Sequence, residues 1–179
     1  MIKIQKEKLK PLFSKEMIEK RVNEIANDIN IKFANENPIF IGVLNGSFIF
    51  LSDLIRKIRI ECEMDFIKIS SYEGENPTEK INRNSEIIRN IENRNLIIVE
   101  DIIDTGGTIQ FLLKYFEKMN PLKITIITLL LKPESLKIKL NIDYIGFEIS
   151  PDFVVGYGLD YNQKFRNLDS IFYLKALTE

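Results

Sequence analysis

The chain has 179 residues, 45% of them hydrophobic and 28% charged, the mix of one soluble globular domain spanning residues 1–179. A formal net charge of −1 gives no global field favouring nucleic acid or an anionic membrane, and a single cysteine, Cys62, excludes an internal disulfide or a CxxC redox pair. The lack of any histidine removes imidazole acid–base catalysis, Ser-His triads and most zinc and iron sites. Any catalysis must therefore run on carboxylates, lysines, tyrosines, hydroxyls, backbone dipoles or a hard metal held by oxygen.

Residues 1–10 are polar and lysine-rich, without the apolar run of a signal peptide, and the longest apolar stretch, residues 124–131, is too short to cross a bilayer. A reducing, cytoplasmic compartment is the expectation. Residues 14–33 read as an amphipathic helix, because Ile18, Val22, Ile25, Ala26 and Ile29 recur at helical spacing and Ser14 can cap it. Residues 39–44 form a short apolar run expected as a buried strand. It ends at Asn45-Gly46-Ser47, and Phe48, Leu51, Ile55 and Ile58 then predict a second helix. Residues 66–70 alternate as a strand does. Residues 72–85 are polar and aperiodic, with Gly74 and Pro77, and this length of loop belongs either to a binding lid or to a surface insertion.

Residues 96–99 predict another buried strand, and Ile109, Leu112, Leu113 and Phe116 predict a third helix closed by Asn120-Pro121. Strands follow at residues 124–131, 144–149 and 153–155. Strands alternating with helices predict an α/β domain: a mostly parallel, twisted sheet with helices on both faces. Ligands in such sheets sit beyond the carboxyl ends of the strands, so the residues just after each strand carry the information.

The richest segment runs from Leu96 to Thr108. A buried strand delivers two adjacent carboxylates, Glu100 and Asp101, and a third, Asp104, follows three residues later. The turn Thr105-Gly106-Gly107-Thr108 then opens a helix. Its glycines permit close backbone approach, and its N–H groups, the two threonine hydroxyls and the helix N-terminus make an anion site suited to phosphate. Phosphate beside carboxylates is reconciled by a divalent cation or a polyol, and carboxylate with phosphate oxygen is what Mg²⁺ selects. A phosphorylated ribose with Mg²⁺ satisfies both. A Walker A loop is excluded, since no Gly-Lys-Ser/Thr is present, and so is the Asp-x-Asp of aspartyl phosphatases, since the spacing is Asp-x-x-Asp.

This strand, acidic pair and Thr-Gly-rich turn resemble the signature of the type I phosphoribosyltransferases. Further segments resemble their hypoxanthine–guanine branch: residues 42–48 (GVLNGSF), 64–66 (MDF) running into Ser70-Ser71-Tyr72, 129–133 (LLLKP), 145–149 (IGFEI) and 153–161 (FVVGYGLDY), with Phe165-Arg166 just after. The likeness covers residues 39–166, in order and at the family's spacings. It implies a small hood built from the N- and C-terminal segments, a homodimer or homotetramer, Mg²⁺ as cofactor, and phosphoribosyl pyrophosphate and a purine base as substrates.

The same resemblance implies a role for each site residue. Glu100 and Asp101 hold the ribose hydroxyls and the Mg²⁺ bound to them. Asp104 is the base at the purine N7, and Thr105, Gly106, Gly107 and Thr108 bind the 5′-phosphate. Leu44, Asn45 and Gly46 bind pyrophosphate, often through a non-proline cis peptide, together with Arg166. Many members carry Lys where Asn45 stands, so one cationic contact is lost here. Lys132 donates to the purine 6-oxo group, Phe153 stacks on the base, and the backbone around Val154 reads its edge. Asp160 holds a second Mg²⁺ or the purine's far edge, and Ser71 and Tyr72 open a mobile lid over residues 72–85. Lys132 argues against adenine, whose 6-amino group is itself a donor. A xanthine-preferring enzyme and a regulator that keeps the fold to sense phosphoribosyl pyrophosphate are the rival readings.

Overall fold

The computed structural model describes residues 9–71, 79–81 and 90–174. Among the described residues, nine strands and three α-helices follow one another as β1 (Leu9–Phe13), α1 (Lys15–Lys32), β2 (Ile39–Leu44), α2 (Phe48–Ile55), β3 (Glu63–Ser71), β4 (Glu79–Ile81), β5 (Asn95–Ile103), α3 (Gly107–Glu117), β6 (Lys123–Leu131), β7 (Tyr144–Glu148), β8 (Val154–Val155) and β9 (Ile171–Leu174).

The main sheet has the order β4-β3-β2-β5-β6-β7. β3, β2, β5, β6 and β7 run parallel, and β4 is an antiparallel edge. The alternation of β5 explains why the helices lie on both faces. Successive side chains of a strand point to opposite sides. Leu96 and Ile98 therefore join Ile109, Leu112 and Phe116 of α3, whereas Ile97 and Val99 join the buried stripe of α1 and α2.

Helix α1 starts where the sequence says it should: Ser14 Oγ accepts a hydrogen bond from Met17 N at 3.4 Å. The cap contributes about 1 kcal/mol. Burial of Ile18, Val22, Ile25 and Ile29, at roughly 1.5–3 kcal/mol each, contributes several times more, so packing holds this helix in place. Helix α2 is shorter than its apolar spacing predicts, ending at Ile55 rather than running to Ile58. Beyond it Lys57 N and Ile58 N close turns onto Leu54 O and Ile55 O, and Ile58 packs on the core from outside the helix.

A second, three-stranded sheet, β1-β9-β8, pairs the first described strand with the last and forms the hood. The polar stretch at residues 72–85 is not wholly loop. Glu79–Ile81 forms β4, paired with Ile69, Ser70 and Ser71 of β3. The remainder of the expected lid, Tyr72 included, lies outside the described residues. No helix among the described residues is long and apolar enough to cross a membrane.

The chain passes from β2 to β3 on one side and then returns to β5 on the other. The crevice of an open α/β sheet lies where strand order reverses in this way. Here that point falls between the loop after β2 and the acidic turn after β5.

Candidate active site

The Leu44–Asn45 peptide is cis. It starts the loop after β2, and Gly46 presses so closely on β5 that a Cβ added there would run into the Asp101 carboxylate. From the hood side Gly158, with φ of +100°, packs on the Gly46 carbonyl oxygen. Any side chain at 158 would meet that oxygen and would also have to adopt a left-handed backbone. Three segments far apart in sequence thus converge on one point.

Glu100 and Asp101, at the carboxyl-terminal half of β5, are both buried. Burial pushes the Asp101 carboxyl above the usual carboxylate range; contact with Glu100, backbone N–H groups and the nearby Arg166 guanidinium reverse only part of that shift. A buried carboxylate of this kind gains from a neighbouring cation. Among the described residues no three carboxylates close on one point to form a ready cage. Mg²⁺ ordinarily takes one or two carboxylates, substrate phosphates and water, so the buried oxygen pair fits that ion.

The Thr105–Thr108 turn stands at the head of α3. Gly106, with φ of +88°, is its N-cap, backed by Ile138 and Leu140. Thr105 and Asp104 are exposed, and Gly107 N lies 3.5 Å from Thr105 Oγ1. Gly107 and Thr108 lie in the first turn of the helix, at the positive end of its dipole, a position that suits an anion.

Lys132 follows β6 and Asp104 follows β5. The parallel register sets Ile103 beside Leu131, and Lys132 N donates to Ile103 O at 3.0 Å. The next residues of each strand meet side by side: Lys132 Nζ donates to Asp104 Oδ2 at 2.8 Å. The sequence reading gives these two residues separate tasks, and the structure makes them a pair.

Arg166 donates to Gly158 O at 2.7 Å and forms an ion pair with Asp160 at 2.7 Å. The other Asp160 oxygen accepts Gln163 N at 2.8 Å. Both Asp160 oxygens are therefore engaged by the protein itself. Phe153 stands 51% exposed just before β8, edge-on to Tyr161 with ring centroids 5.8 Å apart, and Val154 is buried within the hood. Ser71 ends β3. Two residues to which the sequence assigns no role lie beside the site. Tyr157 donates its hydroxyl to Asp53 Oδ2 at 2.6 Å, and burial with that contact pushes the phenol well above its ordinary pKa. The Gly-Tyr-Gly run is the only local sign of this turn.

A parallel sheet with buried carboxylates and a Gly-rich helix start at its switch point is the layout of the ligand-binding α/β proteins. A family model described as a phosphoribosyl transferase domain matches residues 10–162. The chain is 41% identical over 169 residues to the hypoxanthine phosphoribosyltransferase of Buchnera aphidicola subsp. Schizaphis graminum, covering 93% of this chain and 96% of that protein. It is 39% identical over 167 residues to the hypoxanthine-guanine phosphoribosyltransferase of Bacillus subtilis, covering 93% of each. A crystal structure of a hypoxanthine phosphoribosyltransferase from Staphylococcus aureus superposes with a TM-score of 0.90 at 33% identity, over 98% of this chain and 96% of that one. The chain belongs to the phosphoribosyltransferase family, on its hypoxanthine–guanine branch.

Proposed function

We propose that the chain is a purine salvage enzyme, transferring the 5-phosphoribosyl group of phosphoribosyl pyrophosphate to hypoxanthine or guanine. The observation that carries the choice of base is the Lys132–Asp104 pair. It offers a donor and an acceptor side by side. A 6-oxo purine with its proton on N7 presents the matching acceptor and donor on adjacent positions of one edge. Adenine presents an amino donor to Lys132 and is disfavoured.

In this reading N9 forms a bond to the anomeric carbon as the bond from that carbon to the pyrophosphate oxygen breaks. Positive charge grows on the ribose and negative charge on the leaving group. Asp104 takes the proton from N7, a job within reach of a positioned carboxylate. Lys132 donates to the 6-oxo oxygen, Phe153 stacks on the base, and the backbone at Val154 reads its edge. The N–H groups of Thr105, Gly106, Gly107 and Thr108 hold the 5′-phosphate. Glu100 and Asp101 accept from the ribose hydroxyls and would hold Mg²⁺, whose chemistry when bound is to neutralise charge on the pyrophosphate oxygens. Leu44, Asn45 and Gly46 present backbone N–H groups to the leaving pyrophosphate. Arg166 adds positive charge on that side, although it also serves Gly158 and Asp160. Asp160 would help hold a second Mg²⁺ or meet the purine's far edge, alongside its contacts with Arg166 and Gln163. Ser71 and Tyr72 belong to a lid that keeps water from the reactive carbon.

A homodimer or homotetramer accompanies this reading; Phe48, 56% exposed, and Ile31 are apolar surface of the kind such an interface covers. The free Cys62 suits a cytoplasmic setting. The test is nucleotide formation from hypoxanthine and phosphoribosyl pyrophosphate with Mg²⁺ and with excess chelator. Product with Mg²⁺ and none with chelator is expected. Equal product in both contradicts the metal's part, and no product in either contradicts the activity.

A further inference from the structure

The Gly156-Tyr157-Gly158 turn carries three consecutive positive φ values, 99°, 51° and 100°. The glycines take these readily; a tyrosine does not, so the turn's surroundings must fix Tyr157 there. Its hydrogen bonds do so. Gly156 N donates to Leu159 O, Tyr157 N to Leu168 O and Gly158 N to Arg166 O, at 3.0, 2.8 and 3.0 Å. The resulting knob touches the chain after β2 at two places. Gly158 lies on the Gly46 carbonyl, and the hydroxyl of the buried Tyr157 bonds to Asp53 in the last turn of α2, the helix that starts two residues after Gly46. Asp53 is held in turn by an ion pair with Arg56.

We propose that Tyr157 and Asp53 are positioning residues for pyrophosphate binding: their hydrogen bond ties the hood to α2 and so seats Gly158 against the Asn45–Gly46 loop. The pyrophosphate-bearing substrate meets that loop, and the purine meets Lys132 and Asp104 at the neighbouring strand ends. Loosening the tie therefore weakens the pyrophosphate-bearing substrate more than the purine, which keeps Lys132 and Asp104 and the β8 segment that β9 holds. This inference rests on the assignment of residues 44–46 to pyrophosphate made above.

The test compares Tyr157→Phe, Asp53→Ala and Asp53→Asn as full-length purified proteins. KM is measured for phosphoribosyl pyrophosphate and for hypoxanthine, with inhibition by inorganic pyrophosphate and the thermal midpoint alongside. Tyr157→Phe and Asp53→Ala should raise KM for phosphoribosyl pyrophosphate and weaken pyrophosphate inhibition by about three- to tenfold, the range for one lost hydrogen bond. KM for hypoxanthine should rise clearly less than KM for phosphoribosyl pyrophosphate. Asp53→Asn keeps an oxygen acceptor for the phenol and should recover most of the loss seen with alanine. Unchanged KM for phosphoribosyl pyrophosphate in both Tyr157→Phe and Asp53→Ala overturns the inference. So does an equal rise for both substrates, which general loosening of the fold would produce. If the wild type forms no nucleotide, the activity proposed above falls and takes this inference with it. An active wild type with indifferent variants sinks the positioning role alone.

Discussion

Lys132 and Asp104 form a lopsided pair: the lysine side chain is 8% exposed and the aspartate 49%, with Nζ and Oδ2 2.8 Å apart. Removing either partner breaks the same bond but leaves different remainders. Asp104→Ala leaves an ammonium group in a buried position without its carboxylate, whereas Lys132→Met leaves a carboxylate facing water. Asp104→Ala should therefore destabilise the fold by about 1–3 kcal/mol, and Lys132→Met by well under half of that. Chemical denaturation of the two variants checks this. Equal losses would mean that the pair does not hold Lys132 in the folded protein.

The catalytic part assigned to Asp104 is tested with the milder change. Asp104→Asn keeps an oxygen for Lys132 but cannot take a proton at neutral pH. A fall in kcat of about 10² to 10⁴, with a smaller change in nucleotide affinity, is expected. Single-turnover kinetics near the wild-type rate would remove Asp104 from the role of base.

Much of this site is legible in the sequence, and its limits have physical causes. An apolar run ending in two carboxylates and a Thr-Gly-Gly-Thr turn is local information, so β5, the turn and α3 can be read directly. The Lys132–Asp104 contact is a matter of strand register between residues 28 apart, and emerges only when β5 and β6 are laid side by side. Asp53 and Tyr157 are 104 residues apart, and nothing in either neighbourhood names the other. The short strands β1 and β9 lack a long apolar period, and β4 sits in polar sequence where backbone pairing, not side-chain pattern, makes the strand.

Lys132→Met also probes the choice of base. The change keeps apolar volume and removes the donor. Binding of hypoxanthine and guanine should weaken by about 1.5–3 kcal/mol, the range for a hydrogen bond to a charged group, while an adenine-type ligand should lose little. Calorimetric titration in the presence of pyrophosphate and Mg²⁺ measures both. A comparable loss for adenine-type ligands would assign Lys132 a structural task instead.

The raised pKa of Asp101 makes stability depend on pH in a defined direction. The folded protein holds this proton more tightly than the unfolded chain does, so the group's contribution is fully present below about pH 4 and is lost as pH rises through the elevated folded value. In Mg²⁺-free buffer Asp101→Asn should melt higher than the wild type near neutral pH, and the gain should shrink toward about pH 4. The same variant should lose activity. Thermal melts of both proteins across pH give the answer, and a variant that is less stable at neutral than at acid pH, relative to wild type, would contradict the burial argument.

The central claim is that this pocket transfers phosphoribosyl groups to 6-oxo purines. Its most direct measurement is the initial rate of nucleotide formation by the purified chain with Mg²⁺ and phosphoribosyl pyrophosphate, using hypoxanthine, guanine, xanthine and adenine in turn. The account predicts turnover with hypoxanthine or guanine and none of comparable rate with adenine. Adenine as the preferred base, or pyrophosphate release with no nucleotide from hypoxanthine or guanine, would contradict it.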